Sequence, residues 1–145
     1  MLTFDPAELT QEIPFSLPIQ VRFSDIDGYL HVNNGVYFNY FEHARAVYLD
    51  QVCNWDVMET GCVVGRIEID YLRPIYLENQ IEALVRCTRV GNTSFDLEQF
   101  LVGEAKNGEQ AIFARCKCIM VTVDMNTMKT IPVPEIYRTK LQPMS

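Results

Sequence analysis

Apolar and polar positions divide this chain into one helical stretch and several strands. Ile19, Val21 and Phe23 alternate with Gln20 and Arg22, the pattern of a half-buried strand. Ser24 to Leu30 has no periodicity and carries Asp and Gly, so it is a loop. From Gly35 to about Cys53 the period becomes helical: Val36/Tyr37, Tyr40/Phe41, Ala44, Val47/Tyr48 and Val52 recur at steps of three and four. The stripe is broad and aromatic, which predicts a helix buried around most of its girth. Asn33 or Asn34 supplies the N-cap, a side-chain oxygen that accepts an otherwise orphaned N–H.

After Gly61 only strand signals follow. In Cys62 to Tyr71, Ile67, Ile69 and Tyr71 share one face, opposite Arg66, Glu68 and Asp70. Gln80 to Arg89 is the next strand, and Gly91-Asn92 turns it into Ser94 to Val102. Asn107-Gly108 is a strong hairpin signal leading into Gln110 to Asp124, whose core side includes Ile112, Ala114, Cys116, Cys118 and Met120. Ile131-Pro-Val-Pro-Glu is a proline-pinned strap with one helical turn. Met1 to Pro18 is expected to be an extended leader, with Phe15 and Leu17 as a hydrophobic hook.

One long helix and about five hairpin-joined strands make an α+β plan. The simplest burial for so aromatic a helix is a curved antiparallel sheet wrapped around it. Such a sheet leaves open edges, so pairing with a second copy is expected. Residues 1–145 form one domain without an internal repeat.

Composition narrows the partners. The net charge of −7 and the absence of any Lys/Arg run argue against nucleic acid. No apolar stretch reaches the roughly 18 residues of a membrane helix. The residues from Met1 to Glu12 lack the apolar core of a signal peptide, so the cytoplasm is the expected compartment. Five cysteines do not pair into a framework and read as reduced, buried thiols; two histidines are too few for a zinc site.

The chemistry concentrates between strand and helix. Arg22-Phe-Ser-Asp-Ile-Asp27, His31-Val-Asn-Asn34 and Tyr37 to Arg45 together resemble the hotdog-fold acyl-CoA thioesterases. Within these, the resemblance is to the 4-hydroxybenzoyl-CoA thioesterase family, whose pattern runs roughly R-[YF]-x-D-x-D-x-x-G-H-V-N-N-x-x-Y-x-x-[YF]-x-E-x-A-R. Asp70-Tyr-Leu-Arg-Pro74 and Gly91-Asn-Thr-Ser-Phe95 extend it more loosely. One position departs: Leu30 stands where the pattern has Gly, which puts close approach of a ligand there in doubt.

The resemblance implies a hotdog fold and thioester hydrolysis without metal or redox cofactor, coenzyme A entering only as part of the substrate. It makes Asp27 the catalytic carboxylate, nucleophile or general base, and makes the amides at Asn33 and Asn34 the oxyanion site. His31 would orient the site. Leu30, Tyr37 and Glu42 are candidates for substrate contact. The residue types fit this chemistry, because a helix N-terminus offers free N–H donors and a positive dipole end to a carbonyl gaining negative charge.

Each residue also has a plain structural role. Asp27 could make an Asx turn, Asp25 could cap the loop or pair with Arg22, and Glu42 could pair with Arg45 three residues on. Arg86, Arg89 and Lys117 are weak candidates for the phosphates of a coenzyme A carrier. The Asp25/Asp27 pair resembles the D-x-D of haloacid-dehalogenase phosphatases, but no βαβ series is present to support it. An EF-hand loop lacks its remaining ligands. A hotdog hydratase pairs Asp with His five residues later, whereas His31 follows Asp27 by four. A non-catalytic acyl-CoA-binding module is the remaining alternative. Assembly is expected to give a homodimer or homotetramer.

Overall fold

In the computed structural model, which describes residues 4–141 and 143, a five-stranded antiparallel sheet curves around one long helix. The elements in order are α1 (Pro6–Glu12), β1 (Ser16–Ile19), α2 (Asn34–Cys53), β2 (Thr60–Tyr71), β3 (Ile81–Val90), β4 (Ser94–Glu104), β5 (Gln110–Asp124) and α3 (Glu135–Leu141). The sheet order is β1-β3-β4-β5-β2, which leaves short β1 and long β2 as its edges. This is the wrapped helix expected from the hydrophobic pattern, and it is the hotdog fold that the resemblance implies. No helix among the described residues is long and apolar enough to cross a membrane.

The core lies between α2 and the concave face of the sheet. Tyr37, Phe41, Ala44, Tyr48 and Leu49 from the helix pack against Val85, Leu97, Leu101, Phe113 and Cys116 from the strands. The helix ends at Asn54, whose left-handed conformation (φ 51°) stops the ladder. Trp55 then stacks on Tyr137 of α3, ring centroids 4.1 Å apart, and closes that end of the core. All five cysteines are unpaired thiols, four of them buried.

The expected extended leader is not extended, though its residues 1–3 lie outside the described ones. Asp5 accepts the Ala7 N–H at 2.9 Å, Pro6 follows the cap, and α1 forms with Leu9 buried. Leu9 and Ile13, four apart, seat on Leu84, Phe100 and Val102 on the convex face of the sheet. The following strand is also shifted. It runs Ser16–Ile19 and pairs with β3, while Phe23 lies beyond it in a 3₁₀ turn and is 81% exposed.

Three further expectations change. Ile112 belongs to the convex-side cluster, because an extra residue at Phe113 shifts the β4–β5 register between Leu101 and Val102 and reverses the alternation. Arg45 is buried on the core stripe, where its Nη1 donates to Gln99 Oε1 at 3.2 Å; it does not pair with Glu42, which is exposed. The C-terminal strap ends in the seven-residue α3 rather than a single turn.

Candidate active site

The residues between β1 and α2 fold back on themselves before the helix starts. Ile26 and Val32 pair as an isolated antiparallel bridge. Inside it, the Asp27 N–H donates to the His31 carbonyl at 2.9 Å and the Leu30 N–H to the Asp27 carbonyl at 3.1 Å. Closing so short a loop needs a left-handed residue, and that residue is Leu30, φ 68° and 75% exposed. The departure from the glycine of the pattern thus falls where glycine would relieve strain. Gly28, by contrast, has ordinary φ and open space around it.

The two aspartates of the loop differ. Asp25 points inward and is buried. Its Oδ2 accepts the Arg22 N–H at 3.0 Å and the Tyr40 hydroxyl at 2.6 Å. Asp27 is half-buried; its Oδ1 accepts the Tyr29 N–H at 2.8 Å, an Asx turn. His31 Nδ1 stands 3.9 Å from the same oxygen, beyond hydrogen-bond reach but close enough for a charged imidazolium to be felt. Oδ2 of Asp27 has no hydrogen-bond donor among the described residues.

Helix α2 then begins with a countable set of amides. Asn33 is the N-cap: its side chain accepts the Gly35 N–H at 2.8 Å, and its carbonyl accepts the Val36 N–H at 2.9 Å. The Asn33 N–H is itself taken, donating to the Asp25 carbonyl at 2.9 Å. Asn34 is the first residue of a 20-residue helix, and its N–H has no acceptor among the described residues. Of the two amides read from the sequence, one is thus engaged in structure and one is free, at the positive end of the helix dipole.

A cavity of about 230 Å3 opens at this helix start, lined by His31, Asn34, Tyr37, Tyr71 and the segment 72–74. Tyr37 contributes its ring, since its hydroxyl accepts the Ile75 N–H at 3.1 Å and donates to the Arg73 carbonyl at 3.2 Å. Burial raises that phenol's pKa above the ordinary value. The Tyr71 hydroxyl donates to the Asn34 carbonyl at 3.0 Å and so fastens the end of β2 to the first turn of α2. Tyr71 and Arg73 were not among the candidates read from the sequence, although they lie in the Asp70–Pro74 segment of the resemblance.

Other candidates fall elsewhere. Glu42 sits two turns along α2, exposed, and does not line this cavity. Arg86 is held by Glu98, Arg89 stands 3.7 Å from Asp96, and Lys117 lines a separate depression with Arg66 and Arg115. None of these three cations borders the helix start.

A free helix-start amide thus stands seven residues after a half-buried aspartate, on a helix wrapped by the sheet; His31, Asn34 and Tyr37 line the cavity, and Asp27 does not. The chain belongs to the Thioesterase-like superfamily, whose family model matches residues 21–141. It is 29% identical over 129 residues to the long-chain acyl-CoA thioesterase FadM of Escherichia coli, covering 87% of this chain and 96% of that protein. A Thermus thermophilus thioesterase solved with coenzyme A and zinc superposes with a TM-score of 0.76 at 34% identity, over 90% of this chain and 93% of that one. A 4-hydroxybenzoyl-CoA thioesterase structure superposes with a TM-score of 0.80 at 14% identity, over 88% and 98% of the two chains, a likeness of fold. Membership of the superfamily supports thioester hydrolysis as the reaction class.

Proposed function

We propose that this protein hydrolyses acyl thioesters of coenzyme A, in the manner of the 4-hydroxybenzoyl-CoA thioesterase family, with Asp27 as nucleophile or general base. The observation that carries this reading is the unengaged N–H of Asn34 at the start of α2, beside a cavity and in the same short connection as Asp27. The thioester carbonyl lies against that N–H, which together with the helix dipole holds the charge that develops on oxygen. Loss of such a donor costs about a hundred- to a thousandfold in rate. Asp27, with one carboxylate oxygen fixed by the Tyr29 N–H and the other without a donor among the described residues, attacks the carbonyl or takes a proton from water. His31 orients that carboxylate from 3.9 Å away, and the ring of Tyr37 walls the acyl side. Leu30, exposed on the adjoining turn, contacts the substrate from outside the cavity. The scheme uses no metal or redox cofactor.

A second copy is proposed to pair along β2, the long free edge, where Val63, Val64 and Tyr71 are exposed. Light scattering coupled to gel filtration reads the resulting dimer, or the tetramer built from two of them; a monomer would remove this part of the proposal.

The catalytic assignment is tested with short, long and aromatic acyl-CoAs, on wild type and Asp27→Asn. Turnover by wild type alone supports it, and equal turnover by both sinks it. Saturable binding without turnover on any thioester points to a binding module, and addition of water to an enoyl-CoA points to a hydratase. Repeated turnover in heavy-oxygen water tests the nucleophile role of Asp27. Label in its carboxylate indicates a covalent anhydride opened at the Asp27 carbonyl; an unlabelled carboxylate fits activated water or an anhydride opened at the acyl carbon.

A further inference from the structure

Asp25 and Tyr40 are not needed by the reaction as written, yet they form a buried hydrogen-bonded pair beside the site. We propose that the buried Asp25–Tyr40 pair is a positioning device, which fixes the loop bearing Asp27 against the helix whose first amide receives the thioester oxygen. The inference rests on the thioesterase reading above and assigns two further residues to it.

The geometry converges on one residue. Asp25 accepts the Tyr40 hydroxyl at 2.6 Å and the Arg22 N–H at 3.0 Å through its carboxylate. Its backbone carbonyl accepts the Asn33 N–H at 2.9 Å, and its own N–H donates to the Arg22 carbonyl at 2.9 Å. The Arg22 guanidinium stands 3.9 Å away. Asp25 is therefore two residues from Asp27 along the chain and one hydrogen bond from the residue preceding Asn34. Tyr40 reaches it from about 9 Å farther up the helix, six residues at about 1.5 Å each. A shift of Asp25 moves both reacting groups relative to one another.

The chemistry also fits positioning better than packing alone. A buried carboxylate is an expensive way to fasten a loop, and a leucine or phenylalanine pair would fill comparable space without the desolvation cost. What the carboxylate adds is direction, since hydrogen bonds from Tyr40 and Arg22 fix it from two sides. Burial, and then the neighbouring carboxylate, hold the Tyr40 phenol protonated far above its ordinary range, so the donation persists at every pH where the protein would be assayed. Asp25 is buried with both of its hydrogen bonds on Oδ2, whereas Asp27 is half-buried on an open turn and is the more accessible of the two carboxylates.

The test compares Tyr40→Phe with Tyr137→Phe. Tyr137 loses a comparable buried hydroxyl, the acceptor of the Asp56 N–H at 2.9 Å, in α3 and away from the site. Steady-state kinetics on an acyl-CoA that the wild type hydrolyses are read together with thermal unfolding. The expected result is a kcat about ten- to a hundredfold lower in Tyr40→Phe, with KM within about twofold and with Tyr137→Phe unchanged in both constants. Asp25→Asn, which still offers Tyr40 an oxygen, should retain more of kcat than Asp25→Leu. If Tyr40→Phe keeps its kcat, or if Tyr137→Phe loses kcat equally at equal loss of Tm, the inference is overturned. If Tyr40→Phe does not fold, the ranking of the two Asp25 variants decides, and equal kcat in both overturns it. Absence of wild-type turnover on every thioester is a different failure, that of the catalytic reading itself.

Discussion

Glu98 and Asp27 are both carboxylates near basic side chains, and the fold treats them in opposite ways. Glu98 lies on the convex face of β4, nearly shut off from water, gripped by Arg86 (2.6 and 2.9 Å) from β3 and by Arg115 from β5. Burial alone would raise its pKa, but the hydrogen bonds and charges of Arg115 and Arg86 outweigh that and hold it below the usual carboxylate range. Asp27 sits on a turn, a quarter exposed at its side chain, with one oxygen bonded and a histidine just out of reach. Glu98 is thus locked into the sheet by its partners. A carboxylate surrounded by satisfied donors has no room to react, whereas one held by a single N–H is fixed in direction and still has an oxygen to offer.

The widest separation of the two regions should come from Asp27→Asn. Removing the reacting oxygen should lower kcat on acyl-CoA by about a hundred- to ten-thousandfold, with the urea midpoint barely moved. A large stability loss would mean that Asp27 holds the loop together and would erase the contrast. Glu98→Gln should do the reverse. It leaves two guanidinium groups in a largely buried setting without their counter-charge, and unfolding should become easier by about 3 kcal/mol. The kcat of the folded fraction should stay at the wild-type value, as measured by urea unfolding beside activity per active site.

Acid should bear on the Glu98 cluster as well. The folded-state pKa of Glu98 is depressed, so the unfolded chain binds a proton more readily. Its contribution is complete above the unfolded value and fades as pH falls below about 4, through the lower folded value. The slope of stability against pH in that window should flatten in Glu98→Gln. The smallest expected effect concerns the strained turn. Leu30→Gly removes a left-handed φ of 68° from a residue with a Cβ and should stabilise the protein by about 1 kcal/mol. Gly28→Ala, in open space with ordinary φ, should be tolerated. A destabilised Leu30→Gly would show that the leucine side chain makes a contact worth more than its strain.

What the sequence determined by itself was whatever depends on residues close along the chain. The aromatic recurrence from Val36 onward and the asparagine cap predicted α2 to within a residue, and Asn107-Gly108 predicted the hairpin in which Gly108 adopts φ 85°. The motif put Asp27, His31 and Asn34 in one connection because they span only eight residues. The α1 helix was missed because its two anchors, Leu9 and Ile13, mean little until the convex face that receives them exists. Arg45 looked like a surface partner for Glu42, since its acceptor on Gln99 lies 54 positions away. The reversal at Ile112 needed the β4 register, and the entry of Tyr71 into the site needed β2 to return beside the start of α2. Tertiary structure also decided which helix-start amide remains free, because the Asp25 carbonyl claims that of Asn33 and leaves that of Asn34. Periodicity and caps are fixed by sterics and hydrogen bonds within a few residues. Which buried donor finds which acceptor is settled only when distant segments meet.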